Sequence, residues 1–137
     1  MSTAILNLRA AYERAAAVRP PVGGFPYLAE ALRQARVTGY RVTVPSMTTV
    51  YASPEGAVTV LGDPLITGTA DVPPYDEARF VASLRASQAG ETTYPEFVRG
   101  CWEAGVVSYD VDLAARTCTY HGADGDSYTE VYPAVEI

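Results

Sequence analysis

A chain of 137 residues with 48% hydrophobic and 19% charged residues is globular, long enough for one well-buried core and short for two independent ones. No apolar run approaches the roughly 20 residues of a membrane span, and the N-terminus lacks the basic-then-apolar pattern of a signal peptide, so the expected setting is cytoplasmic. The net charge of −6 includes no lysine, and an acidic chain without a basic cluster does not fit nucleic-acid binding, which draws its affinity from neutralising phosphates.

Ser2 or Thr3 can cap a first helix, with Ile5, Leu8, Tyr12 and Ala15 at the spacing of one buried face. Pro20 and Pro21 stop it, and Val22-Gly23-Gly24 makes a loop. A second helix is predicted from about Pro26, with Leu28, Leu32 and Ala35 inward. Near Gly39 the period changes to two, and Tyr40, Val42 and Val44 share one face of a strand. Strands over about Met47–Ala52 and Ala57–Leu61 follow, separated by the turn at Ser53-Pro54-Glu55-Gly56. Residues 62–74 hold three prolines and two glycines and read as a linker.

The order then recurs. Asp76–Ala89 is a predicted helix with Phe80, Val81 and Leu84 on one stripe and Gly90 as its stop. Thr93 through Glu96 has the spacing of a capping box, opening a helix that turns Phe97, Cys101 and Ala104 inward. Tyr109, Val111 and Leu113 form the inner strand face, leaving Asp110 and Asp112 outward. Strands over about Arg116–His121 and Ser127–Tyr132 flank the turn at Asp124-Gly125.

Shifted by 69, the chain matches itself: Phe25–Gly56 aligns without a gap on Tyr94–Gly125, with eight identities in 32 positions. Composition alone gives roughly two or three. The reading is an α+β fold made by tandem internal duplication of an α-α-β-β-β unit, with helices packed on antiparallel meanders and a pseudo-two-fold between copies. Residues 1–61 form the first repeat and 75–132 the second, joined in a single domain. Residues 1–69 carry six arginines and four acids, and residues 70–137 four arginines and twelve acids. Halves of opposite charge attract, which favours their docking or a reciprocal homodimer contact.

The stretch Gln88 to Phe97, then Ala104-Gly105-Val106, Asp112, and Thr117-Cys118-Thr119-Tyr120 with Gly125, resembles the YbcV/YdfO-like family of small bacterial and prophage proteins, often labelled "phage envelope protein". The first half is similar through Phe25-Pro26, Leu32, Val37 and Tyr40. Arg36 stands where that family commonly has glycine, so the helix-to-strand turn of the first half is expected to differ. The resemblance implies a fold and brings no assigned activity or cofactor, and the envelope label finds no membrane segment, coiled coil or fibrous repeat among these residues.

Four residues are candidates for catalysis. Cys101 and His121 are a thiol–imidazole combination, but a mid-helix cysteine on an apolar stripe reads first as a small core hydrophobe. Asp110 and Asp112 share a strand face about 7 Å apart, a separation that acid–base carboxylates use, although exposed strands are commonly charged. Cys118 and His121 are three apart on a strand and so point to opposite faces, and no metal site is expected. No organic cofactor motif is present. Ten tyrosines and a single tryptophan are the composition of recognition surfaces, and Trp102, Tyr94 and Tyr27 are the candidate binding residues. The sequence thus favours a small binding module without catalysis, its partner a protein or small molecule. The alternatives are an enzyme with a site in the groove between repeats and a prophage-type host-modulating protein.

Overall fold

The structure, a computed structural model, describes residues 1–137. Ten elements follow one another: α1 (Thr3–Val18), α2 (Phe25–Gln34), β1 (Gly39–Thr43), β2 (Thr48–Ala52), β3 (Val58–Leu61), α3 (Glu77–Gln88), α4 (Tyr94–Glu103), β4 (Val106–Asp112), β5 (Thr117–Gly122) and β6 (Ser127–Val131). Their boundaries follow local chemistry. The Ser2 hydroxyl accepts the Ile5 N–H at 3.1 Å, and Arg19, ahead of Pro20, is already extended. Asp76 caps α3, and Thr93 with Glu96 forms the expected capping box of α4.

The strands make one antiparallel sheet in the order β3-β2-β1-β4-β5-β6. The first strand of each meander therefore meets the other at the centre. Pairing of β1 with β4 sets Arg41 opposite Asp110, Val42 opposite Tyr109 and Tyr40 opposite Val111. Val44 N–H to Val107 C=O (2.8 Å) and Leu113 N–H to Thr38 C=O (3.1 Å) extend that ladder at its two ends.

All four helices cover one face. Leu8, Ala11, Ala29, Leu32, Phe80, Leu84, Phe97, Val98 and Cys101 from the helices form one cluster with Val42, Tyr51, Tyr109, Val111, Cys118 and Tyr120 from the strands. The result is a two-layer α+β fold with the other sheet face open. The halves meet at the margin of the core as well: Phe25 of α2 packs edge-on against Tyr132 beyond β6, with ring centroids 5.1 Å apart.

Several expectations need correction. The buried stripe of α1 is Ala4, Leu8, Ala11 and Ala15. Ile5 lies at its margin, and Tyr12 is exposed but reaches over to bond its hydroxyl to that of Tyr51. Three of the four stripe residues are alanines, small enough for close packing of the helix on its neighbours. Tyr40 is partly exposed where full burial is expected. The gap-free register, by contrast, ends at Gly56 and Gly125 as the alignment has it. Tyr51 faces Val58 in the first outer hairpin, whereas Tyr120 faces Tyr128, one residue beyond the 69-residue offset. The chain between the paired positions is thus one residue longer in the second hairpin. The turn at Arg36 does not differ either: Arg36 has φ +70° and Gly105 +83°, the same left-handed conformation.

One buried carboxylate went unmarked in the sequence. Glu30, 7% exposed, accepts from Arg33 Nε (2.9 Å) and Nη2 (2.6 Å) and from Gln34 Nε2 (2.8 Å). The Arg33 hydrogen bonds chiefly hold its pKa down at about 2. Because the folded value lies below the ordinary one, this stabilisation is complete above pH 4.5 and is lost as pH falls toward 2. Glu30→Gln should cost on the order of 2 kcal/mol at pH 7. Denaturant titrations at pH 7 and at about pH 3 check this, since the gap between variant and wild type should shrink at the lower pH.

Candidate functional site

Alternation along each strand sends every second residue to the open face. Register across the sheet gathers Thr43, Thr48, Thr59, Thr117, Thr119 and Thr129 there. Val50, Leu61 and Val131 join them and are exposed. Charge is confined to the middle of the face and to Asp112.

The centre is a connected network of three side chains. Arg41 on β1 donates from Nε to Asp110 Oδ1 at 2.6 Å and from Nη2 to Oδ2 at 2.8 Å. His121 on β5 reaches Asp110 Oδ2 at 2.8 Å. An ionised carboxylate only accepts, so His121 Nε2 carries the proton of that bond. The Arg41 hydrogen bonds, followed by that of His121, hold the Asp110 carboxyl below the usual carboxylate range. Asp110 is therefore ionised at neutral pH, with both oxygens engaged, and is poorly placed to exchange protons. Ser108 and Ser127 lie opposite His121 on the neighbouring strands. A paired ladder spends its N–H groups on adjacent strands rather than aiming them at one point, so a developing oxyanion would find little support here.

The other sequence candidates are dispersed. Asp112, two residues from Asp110, folds back to accept the N–H groups of Ala114 (3.1 Å) and Ala115 (3.0 Å), and so shapes the β4–β5 turn. Cys101 is fully buried on the inner side of α4, on the far side of the sheet from His121. Burial pushes its thiol up to about 12, and that of Cys118 likewise, leaving both protonated. Asp110 and His121 are thus brought together, while Asp112 and Cys101 are not. Trp102 is half-buried against the core edge rather than standing in an exposed patch. Tyr94 is exposed but bonds its hydroxyl to that of Tyr109 at 2.7 Å, and Tyr27 is half-buried on α2. None of these three lies on the open face.

Beneath the helices the strand tyrosines pack in matched pairs. Tyr40 and Tyr51 have ring centroids 5.1 Å apart at 40°, and Tyr109 and Tyr120 5.2 Å apart at 38°. Burial raises the pKa of all four. They fill the core, and the hydroxyls of Tyr51 and Tyr109 are tethered by Tyr12 and Tyr94. A shallow depression of about 300 Å³ lies apart from them, between α3 and α4, lined by Arg79, Ser83, Thr92, Glu96 and Phe97 among others.

The residue that sequence reasoning missed is Arg41. Its match at the 69-residue offset is Asp110, and opposite charges at matched positions signal that the two strands pair with each other.

Fold and site together define a two-layer α+β protein whose sheet offers one open, charge-poor face. The chain belongs to the family described as "Protein of unknown function (DUF1398)", whose model matches residues 16–130. It is 48% identical over 136 residues to "Uncharacterized protein Mb2035" of Mycobacterium bovis, covering 99% of this chain and 83% of that protein. "Uncharacterized protein Rv2012" of Mycobacterium tuberculosis matches at the same identity and coverage. No helix is long and apolar enough to cross a membrane.

Proposed function

We propose that this chain is a small interaction module without catalysis, built from two copies of one α-α-β-β-β unit that share a single domain, and that it binds through the open face of its sheet. The observation that carries this reading is the composition of that face. Of the 26 charged residues in the chain, the outward strand positions hold Arg41, Asp110 and Asp112, and the first two neutralise each other. Interface centres are depleted in charge in the same way, whereas a face that only meets water has no need to be. An open sheet face suits a macromolecular partner better than a small molecule, which needs a concave site.

Duplication is supported by conformation as well as by sequence. The left-handed residues recur at the offset of 69: Arg36 with Gly105, Met47 with Arg116, and Gly56 with Gly125. Arg41 and Asp110 are matched by that same offset and also face each other, so a pseudo-two-fold axis normal to the sheet would pass between them. The two hydrogen bonds at the ends of the central ladder exchange under the same operation, since 44 and 38 become 113 and 107. The narrower YbcV/YdfO-like resemblance, a prophage-type role in modulating a host and a cytoplasmic setting are compatible with such a module. The enzyme reading has one observation in its favour, the His121–Asp110 hydrogen bond, and the engagement of Asp110 by Arg41 weighs against it.

The test is site-specific photo-crosslinking in cells. A benzophenone side chain at Thr43 or Thr129, both exposed on the open face, should give discrete adducts. The same group at Arg9 or Glu13, on the exposed side of α1, should not. Adducts from α1 alone, or from neither face, would contradict the proposal.

A further inference from the structure

We infer that the partner seated on the open face is a second copy of this chain, the two sheets packing face to face about the Arg41–Asp110 pair. This rests on the open face being the binding surface.

Charge selects the arrangement. Arg41 and Asp110 sit side by side on β1 and β4, at the middle of the six strands. A two-fold axis running along the strand direction, between the two sheets, lays β1 of one copy over β4 of the other. Each Arg41 then faces the partner's Asp110, and the four charges alternate in sign. An axis running across the strands would set arginine over arginine, which opposes that packing. The face is thus self-complementary in one orientation, as a symmetric dimer requires. Opposed sheets lie about 10 Å apart, close enough for arginine side chains to span.

Area and side-chain entropy point the same way. Strands spaced about 4.8 Å apart and rising about 3.3 Å per residue give the six-stranded face a flat footprint of roughly 450 Å². Two such faces, with side-chain relief added, reach the roughly 1,000 Å² that a specific dimer needs. The threonines are short and β-branched, so immobilising them costs little conformational entropy, and each offers a methyl for packing and a hydroxyl for pairing. Two twisted sheets of this kind stack in the aligned manner of a β-sandwich.

Sedimentation velocity on the purified 137-residue chain decides the matter. Wild type should sediment as a dimer of twice 14.6 kDa across about 5–200 μM. Val50→Arg and Thr43→Arg change exposed positions and should give monomers with an unchanged far-UV circular dichroism spectrum. Arg41→Asp alone should weaken the dimer at least about tenfold, and the exchange Arg41→Asp with Asp110→Arg should restore it. A monomeric wild type, or a dimer that survives both Val50→Arg and Thr43→Arg, would overturn the inference. If the purified chain is monomeric while Thr43 and Thr129 still crosslink in cells to products other than twice the chain mass, the homodimer falls and the module stands. Absence of open-face crosslinks removes the module as well.

Discussion

Gly105→Ala should lower the melting temperature by roughly 10 °C, while Arg36→Gly at the matched turn should change it by less than about 2 °C. Both residues follow a helix C-terminus, after Ala35 (φ −81°, ψ 8°) and Ala104 (φ −89°, ψ 7°). Both adopt left-handed φ, +70° at Arg36 and +83° at Gly105. What differs is the surroundings. A Cβ on Gly105 would come within 2.7 Å of the Pro73 carbonyl oxygen and of the Pro74 carbonyl group, all backbone atoms of the segment between the halves. Relief requires that segment or the turn to move, at about 1–3 kcal/mol, on top of about 1–2 kcal/mol for a β-carbon in the left-handed region. Glycine at position 36 removes that local strain but adds about 0.5–1 kcal/mol of unfolded-state entropy, so the two nearly cancel. The Arg36–Glu55 ion pair, 3.3 Å long with the arginine side chain 67% exposed, adds little. Paired thermal melts give the result. A Gly105→Ala protein melting within about 2 °C of wild type would contradict the packing of residues 73–74 against this turn.

This pair of turns also shows where sequence reasoning stops. The resemblance puts glycine at position 36, and an arginine there implies an altered turn, since glycine is the common residue for left-handed φ. Arg36 nonetheless adopts the left-handed φ of Gly105, a conformation that a non-glycine residue reaches at a cost of about 1–2 kcal/mol. The crowding at Gly105 comes from residues some thirty positions earlier, a contact that periodicity does not encode.

Elements and caps were legible because their signals are local. Ser2, Asp76 and the Thr93–Glu96 box each satisfy N–H groups within three residues. The inner face of the strands was legible through two-residue alternation, and Val42, Tyr109, Val111 and Leu113 are buried. The face of α1 was not. In an alanine-rich helix several stripes have similar hydrophobicity, and close packing rather than apolar content chooses among them. Glu30 was missed for a related reason: its burial depends on Arg33 and Gln34 folding over it, and charged residues on one helix normally read as a solvated face.

The candidate site was half legible. Asp110 and His121 stand out in the sequence as residue types, but nothing local places them beside each other. That follows from β4 pairing with β5, and the network closes only through Arg41 of the other half. Asp112 stands out by sharing a strand face with Asp110, yet its carboxylate is spent on a turn, a common role of aspartate.

Cutting the chain between residues 69 and 70 should abolish folding of both pieces. Each fragment would keep two helices and a three-stranded meander, too little to bury a stable core alone. The cut also separates β1 from β4, opening the centre of the sheet rather than an edge. Residues 1–69 would lose Tyr132 from against Phe25, and both fragments would lose the Arg41–Asp110 pair. The fragments carry charges of +2 and −8 by the count of arginines and acids, so attraction assists their meeting and weakens with salt. Circular dichroism and thermal melting of residues 1–69 and 70–137, alone and mixed in equal amounts, test most directly the claim that two equivalent units share one sheet and one core. Neither fragment should melt cooperatively by itself, and the mixture should regain strand and helix signal with a single cooperative transition. A sharp, independent melt from either fragment would contradict the shared core and make the halves two autonomous domains.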